Sequence, residues 1–357
     1  MTIPVLTRLK EDSAQDSPGE LVFRADATAE IGTGHVMRCL ALAQGWQDRG
    51  RATRFLCASI PRRLEEALVA QGFPVTHLPV SPGGPPDADA IVEQAKTSDW
   101  VVVDGDAFSA EYLLRLKAGH ARIMLIDDYG QRKNLSANVI LNQNLNANAQ
   151  LYPSTIAGTQ LLLGTKYLLL RREFRARSQR TDFPTVARHI LVTLGGTDPD
   201  NLSMRIANAA RLEPGKFLVT IATTSANPYL AQLQEFCGGM PSPATLLVDA
   251  PNMADVMANS DIAIIASGGT LWELLYLGCP VLSYSRNQAQ ARLLEDLALS
   301  GAVADMGAAQ AFDGTALVSR IEELASSPLK RQSMSDAGAR IVDGRGVDRV
   351  IEHLLQA

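Results

Sequence analysis

The sequence predicts an α/β protein built as two tandem Rossmann-like domains that face a cleft between them. Three observations carry this. Short apolar runs alternate with amphipathic stretches from Leu21 onward, and the alternation restarts after a charged segment around Arg171 to Asp182. The chain has 357 residues, too many for one ordinary core, so about two domains of ~150 to 180 residues each are expected.

Taken in order, candidate strands fall at Leu21 to Ala25, Thr53 to Ala58, Val75 to Val80, Trp100 to Asp104, Ile123 to Asp127 and Val139 to Asn142. They are largely apolar throughout, as strands buried on both faces are, and that is the habit of a parallel sheet. Helical spacing fits His35 to Arg49, Pro61 to Gln71, Asp87 to Lys96 and Ser109 to Lys117; Val36, Leu40 and Ala43 lie along one side of the first. Strand, helix, strand repeats of this kind give a doubly wound domain.

The second series places strands at Ile190 to Leu194, Leu218 to Ala222, Leu246 to Val248, Ile262 to Ala266 and Val281 to Tyr284. Its helices fit Leu202 to Arg211, Pro228 to Phe236, Met253 to Ala258, Leu271 to Leu277 and Ala289 to Leu299, followed by a helical tail. The expected division is a mobile tail over 1–20, a first domain over 21–180, a second over 186–345 and a terminal helix over 346–357.

Composition excludes several classes. Hydrophobic residues make up 46% and charged residues 20%, which fits neither a disordered chain nor a many-span membrane protein. With 33 Lys+Arg against 38 Asp+Glu the formal charge is −5. Nucleic acid is therefore not expected as a partner, since the phosphate backbone demands concentrated positive charge. The four cysteines have no CxxC spacing, so neither a disulfide framework nor a zinc site is expected. No signal or membrane-spanning segment is read, and the expected location is the cytoplasm.

The first strand leads through Asp26 into Gly32-Thr33-Gly34-His35 and the first helix. Two glycines permit a tight turn and close approach of a ligand to open N–H groups at the helix start. Met37 stands where the dinucleotide fingerprint needs its third glycine, which lowers the odds of an NAD enzyme. His35, at the mouth of the cleft, is suited to general-base work; alternatively it packs on the helix start. Arg38, one turn on, binds an anion or is a solvated helix residue.

Two glycine-rich turns follow strands of the second series. Leu194 enters Gly195-Gly196-Thr197-Asp198-Pro199, and a later strand enters Ser267-Gly268-Gly269-Thr270 with Glu273 one turn on. Either alone is ordinary turn chemistry. Both in one domain fit a nucleotide diphosphate, with Glu273 accepting from ribose hydroxyls or serving only as an acid near a helix N-terminus. Asp104-Gly105-Asp106 and Asp127-Asp128 have carboxylates able to bind a divalent metal, but helix capping is the preferred reading and no metal site is assigned. Asn142-Gln143-Asn144 and Asn287-Gln288 suit sugar hydroxyls and acetamido groups, or Asx turns.

These motifs carry a resemblance over nearly all the chain beyond the tail. Arg24-Ala25-Asp26 with the run Ile31 to Leu40, then Ile126-Asp127-Asp128, Leu163-Gly164, Tyr167 to Phe174, the turn at Leu194 to Asp198 and the segment Ser267 to Gln288 resemble the UDP-2,4-diacetamido-2,4,6-trideoxy-β-L-altropyranose hydrolases of pseudaminic acid biosynthesis. The wider relatives are GT-B glycosyltransferases. The resemblance implies a GT-B-like fold and metal-independent hydrolysis of a UDP-sugar, with no cofactor. His35 would take a proton from water, which attacks the anomeric carbon and expels UDP with inversion.

It further implies that Gly34, Arg38, Arg171, Asn287 and Gln288 contact the sugar-nucleotide. Gly195, Gly196, Thr197, Ser267, Gly268, Gly269, Thr270 and Glu273 would hold the nucleotide. One departure concerns the sugar: the family usually has an aromatic two residues past the strand ending at Asp104, and here Asp106 stands there. The rival readings are a glycosyltransferase using a UDP-sugar donor and a non-catalytic sugar-nucleotide binding protein. The expected partner is the small-molecule UDP-sugar, with neither nucleic acid nor membrane, and a monomeric state is compatible with the sequence.

Overall fold

The computed structural model describes residues 19–28, 30–119, 122–210, 216–239 and 244–356. The tail expected over 1–20 therefore lies outside the described residues up to position 18. Gly19 and Glu20 are not tail: Gly19 N–H donates to Ser98 O, Trp100 N–H donates to Glu20 O, and Glu20 pairs with Arg54.

The first half runs β1 (Leu21–Ala25), α1 (Gly34–Gln47), β2 (Thr53–Cys57), α2 (Arg62–Ala70), β3 (Val75–His77), α3 (Pro85–Gln94), β4 (Trp100–Asp104), α4 (Ala110–Ala118), β5 (Arg122–Ile126), β6 (Val139–Asn142) and β7 (Gln160–Leu163). After the short α5 (Arg172–Arg175) come β8 (His189–Thr193), α6 (Leu202–Ala210), β9 (Leu218–Thr223), α7 (Leu230–Gly238), β10 (Ala244–Val248), α8 (Met253–Ala258), β11 (Ile262–Ala266), α9 (Gly269–Leu277), β12 (Val281–Ser285), α10 (Gln288–Leu299) and β13 (Val303–Ala308). Three helices close the chain: α11 (Gly314–Ala325), α12 (Pro328–Ile341) and α13 (Gly346–Gln356).

Two parallel sheets result, ordered β3-β2-β1-β4-β5-β6-β7 and β10-β9-β8-β11-β12-β13. Each is covered on both faces, which is why β1, β4 and β11 are buried at every residue. The strands missed from the sequence, β7 and β13, are edge strands. Val303–Ala308 leaves most of its residues at least partly exposed, so it has no continuous apolar run.

In both sheets the order reverses once, between β1 and β4 and between β8 and β11. Connections there leave toward opposite faces and open a crevice at the carboxyl ends of the strands. The segments following β1, β4, β8 and β11 contain every candidate turn singled out above except Asn142 to Asn144, Asp127-Asp128 and Asn287-Gln288.

The connection between the two sheets packs into both cores. Tyr167 and Leu169 enter the core under α1, while Leu168, Leu170 and Phe174 enter the core of the second sheet. Alternation along extended backbone allows this. The helix expected over 346–357 packs against α1, with Val347, Val350, Ile351 and Leu354 fully buried and Leu354 O accepting from Trp100 Nε1 at 3.1 Å. Gly346 must be glycine, since a Cβ there would lie 2.2 Å from Leu168 O.

Candidate functional site

The first-domain half of the site is an ionic cluster at the β1/β4 reversal. Gly32, at φ +74°, turns the chain toward α1, and His35 falls in the first turn of that helix. Asp104 is the last residue of β4 and is completely buried. His35 Nδ1 lies 2.7 Å from Asp104 Oδ1, and Arg38 reaches both Asp104 oxygens at 2.5 and 2.6 Å. Arg38 Nη1 then donates to Asp128 at 2.7 and 2.9 Å, and Asn144 Nδ2 donates to the Asp128 carbonyl at 2.8 Å.

The charges explain the titration of the group. The hydrogen bond to Asp104 raises the His35 pKa above its ordinary value, outweighing burial and the nearby Arg38. Burial alone would raise the Asp104 carboxyl, but Arg38 and His35 hold it below the usual carboxylate value. With Nδ1–H donated to Asp104, the neutral imidazole has its lone pair on Nε2, which has no hydrogen-bond partner among the described residues. This is the arrangement of an oriented base. Arg38, expected at the substrate, has its guanidinium engaged by Asp104 and Asp128; it organises the cluster from within.

Asp104-Gly105-Asp106 does not form a two-carboxylate metal grip. Both Asp104 oxygens face His35 and Arg38, whereas the Asp106 side chain is 74% exposed and lies 3.6 Å from Arg132. Among the described residues no group of three or more His, Cys, Asp or Glu is arranged to hold a metal ion.

The second-domain half lies at the β8/β11 reversal. Gly195 has φ +84°, which a side chain would strain. Gly34, Gly268 and Gly269 are different: none needs a left-handed backbone, and a Cβ at Gly34 or Gly269 would meet nothing within 4 Å, while one at Gly268 would meet only Ala266 O, at 4.0 Å. Neither backbone nor packing demands glycine at these three, which leaves open approach to the N-termini of α1 and α9. Ser267 Oγ, beside the start of α9, is buried without a hydrogen-bond partner among the described residues.

The two turns are not equivalent. Only Ser267 to Thr270 opens its helix directly. Asp198 (φ +38°) accepts from the N–H groups of Leu202 and Ser203 at 3.1 and 2.8 Å, so the start of α6 is already capped by a carboxylate. Of the two turns read as a diphosphate site, Gly195, Gly196 and Thr197 thus form a loop ahead of a capped helix.

Other expected contacts are also engaged within the protein. Asn287 Oδ1 caps α10 by accepting from Gln290 N–H at 2.9 Å, and Gln288 is exposed on the first turn of α10. The inward amide is Gln290, which donates to Ser267 O at 2.7 Å and accepts from Arg286 N–H at 2.8 Å. Asn142 Oδ1 accepts from Asn144 N–H in an Asx turn, and Gln143 Oε1 accepts from Leu169 N–H. Arg171 pairs with Glu273 at 2.9 Å, and burial raises the Glu273 carboxyl against the lowering pull of Arg171. Only Glu273 Oε1 is engaged; Oε2 has no hydrogen-bond partner among the described residues.

Sequence reasoning missed Arg286. Its guanidinium donates to Leu194 O at 2.7 Å and to Asp198 at 3.2 Å, tying the end of β12 to the Gly195 loop. The one signal for it was its place directly after a strand, beside Asn287.

No family model matches the chain. It is 26% identical over 332 residues to the spore coat polysaccharide biosynthesis protein SpsG of Bacillus subtilis, covering 91% of this chain and 95% of that protein. It is 28% identical over 284 residues to the UDP-2,4-diacetamido-2,4,6-trideoxy-beta-L-altropyranose hydrolase of Campylobacter jejuni, covering 75% and 93% respectively. The resemblance drawn from the motifs is thus borne out. Among solved structures, MurG of Acinetobacter baumannii superposes with a TM-score of 0.66 at 15% identity, covering 95% of this chain and all of that one. S. aureus MnaA, solved with UDP, gives a TM-score of 0.65 at 14% identity, covering 94% and 96%. These likenesses establish the fold, a GT-B-like pair of Rossmann-like domains. No helix among the described residues is long and apolar enough to cross a membrane.

Proposed function

We propose that this protein is a UDP-sugar hydrolase that cleaves the anomeric C–O bond of a UDP-linked diacetamido-trideoxy-hexose, in nonulosonic (pseudaminic) acid biosynthesis. The observation that carries the reading is the Asp104–His35 pair, with Nδ1 held by a buried carboxylate and Nε2 without a partner among the described residues. His35 Nε2 removes a proton from water as the water oxygen bonds to the anomeric carbon. The bond to the diphosphate oxygen breaks, its electron pair leaves with UDP, and the centre inverts. Asp104 keeps the imidazole in the required tautomer and stabilises the imidazolium that forms. The open start of α9, with Ser267 Oγ beside it, suits the charge of the leaving diphosphate. The relative from Campylobacter jejuni bears this activity in its name.

A glycosyltransferase would direct the same base to an acceptor hydroxyl, so the decisive assay omits any acceptor. With the UDP-linked diacetamido sugar in buffer alone, UDP and the inverted free sugar should form at equal rates, by NMR. His35→Ala should lower turnover ~10²-fold or more with UDP affinity nearly intact, and EDTA should leave the rate unchanged. UDP release only after an acceptor is added would make the protein a transferase; tight binding without release would make it a binding protein.

A further inference from the structure

Tyr129 follows directly on Asp128, the carboxylate that anchors Arg38. Its backbone is held from both sides: Gly130 N–H donates to Asp127 Oδ2 at 2.8 Å, and the Asp128 carbonyl accepts from Asn144 at 2.8 Å. Yet the residue is 55% exposed. Singly exposed aromatics need no explanation on an ordinary surface, but this one directly follows the carboxylate that holds Arg38 in the His35–Asp104 cluster. Burial and the carboxylates Asp128, Asp106 and Asp127 raise the pKa of its hydroxyl above the ordinary tyrosine value, against the lowering pull of Arg38. Ile31, in the loop that leads into His35, is likewise a large apolar side chain left 53% exposed.

The position two residues beyond Asp104 has the opposite character. Asp106 is a carboxylate paired with Arg132, whose Nη2 also donates to Gly105 O at 2.9 Å and whose Nη1, without a hydrogen-bond partner among the described residues, lies 3.8 Å from Asp127. That loop presents charge. Aromatic surface at this end of the cleft comes from the next strand over, at the end of β5. A pyranose has an apolar C–H face and a polar edge, and an exposed tyrosine held on a fixed loop offers the matching pair of surfaces.

We propose that Tyr129 is the sugar-binding aromatic of this site, its ring packing against the pyranose of the sugar nucleotide above the His35–Asp104–Arg38–Asp128 cluster. The inference rests on the UDP-sugar reading given above. It makes Tyr129 a specificity residue for the sugar and assigns it no part in holding the nucleotide.

The test is calorimetry of three proteins in a His35→Ala background that prevents turnover, with position 129 wild type, Tyr129→Ala or Tyr129→Phe, each with two probes, UDP and UDP-2,4-diacetamido-2,4,6-trideoxy-β-L-altropyranose. Wild type should bind the UDP-sugar more tightly than UDP. Tyr129→Ala should lose ~10-fold in affinity for the UDP-sugar, with UDP binding unchanged, and Tyr129→Phe should keep most of the gain. If Tyr129→Ala matches wild type with both probes, or wild type gains nothing from the sugar, the assignment to Tyr129 falls and the UDP-sugar reading is judged on the turnover assay. Equal losses in the Phe and Ala variants would overturn ring packing as the cause. If wild type binds neither probe, the UDP-sugar reading falls and takes this inference with it.

Discussion

At the scale of single residues, the site depends on how one carboxylate is shared. Asp104 faces an imidazole and a guanidinium at once, and the guanidinium is held in turn by Asp128. Asp104→Asn keeps the shape and removes the charge. In the proposed hydrolysis neutral His35 is the base, so in the wild type the rate should rise with pH through a pKa above the ordinary imidazole value. Without the anion the largest cause of that rise is gone while Arg38 remains, so the acid limb of the kcat/KM profile should move to lower pH. The plateau should also fall ~10²-fold or more as the tautomer is lost. An unshifted limb in Asp104→Asn would show that the profile reports another group. His35 was legible from its place after Gly32-Thr33-Gly34. Its partner was not, because 69 residues separate the two and only the β1/β4 pairing brings them together.

At the scale of elements, the turn before α9 separates ligand contact from folding. Gly269 needs neither unusual backbone nor free space within the protein, and alanine favours a helix over glycine by roughly 0.8–1 kcal/mol in helix interiors. Gly269→Ala should therefore melt at or slightly above the wild-type temperature while UDP affinity falls ~10-fold. Unchanged affinity would remove this turn from the nucleotide site.

Glu273, one turn on, lies between Arg171 and the free side of its own carboxylate. A carboxylate hydrogen bond to ribose in a desolvated site contributes ~1.5–3 kcal/mol, so Glu273→Ala should weaken UDP ~10-fold or more, mainly in KM. The check is a uridine diphosphate lacking both ribose hydroxyls: equal discrimination by wild type and variant would leave Glu273 as the partner of Arg171 alone.

At the scale of the molecule, α13 and the connecting segment join what the two sheets separate. Tyr167 and Leu169 enter one core and Leu168 and Leu170 the other, while α13 returns from the second sheet to pack on α1. Arg63 of α2 reaches Asp249 and Ser225 beyond β10 and β9, a polar bridge from one half to the other. Ile351→Ala should cost ~2–5 kcal/mol, as removal of a fully buried aliphatic side chain does, and should lower the urea midpoint measured from the tryptophan emission of a Trp272→Phe background, where Trp46 and Trp100, both in the core beneath α13, are the reporters. An unchanged midpoint would mean that α13 contributes little to the first core.

The sequence by itself determined the class of the fold, because strands buried on both faces must be apolar throughout and helices on a sheet must show one apolar side. It also singled out His35 and the glycine turns as candidates, because their chemistry is local. Edge strands such as Val303–Ala308, half exposed, escaped it. Tertiary structure alone decided which candidates act together. The partners that Asn287 and Arg38 find within the protein were not readable from their sequence positions: the fold places Asn287, like Asp198, within reach of helix N–H groups and Arg38 beside two carboxylates. The reason is physical: helix-start N–H groups need acceptors, which Asp198 and Asn287 supply, and leaving the nearly buried Arg38 charge unpaired costs more than turning carboxylates toward it.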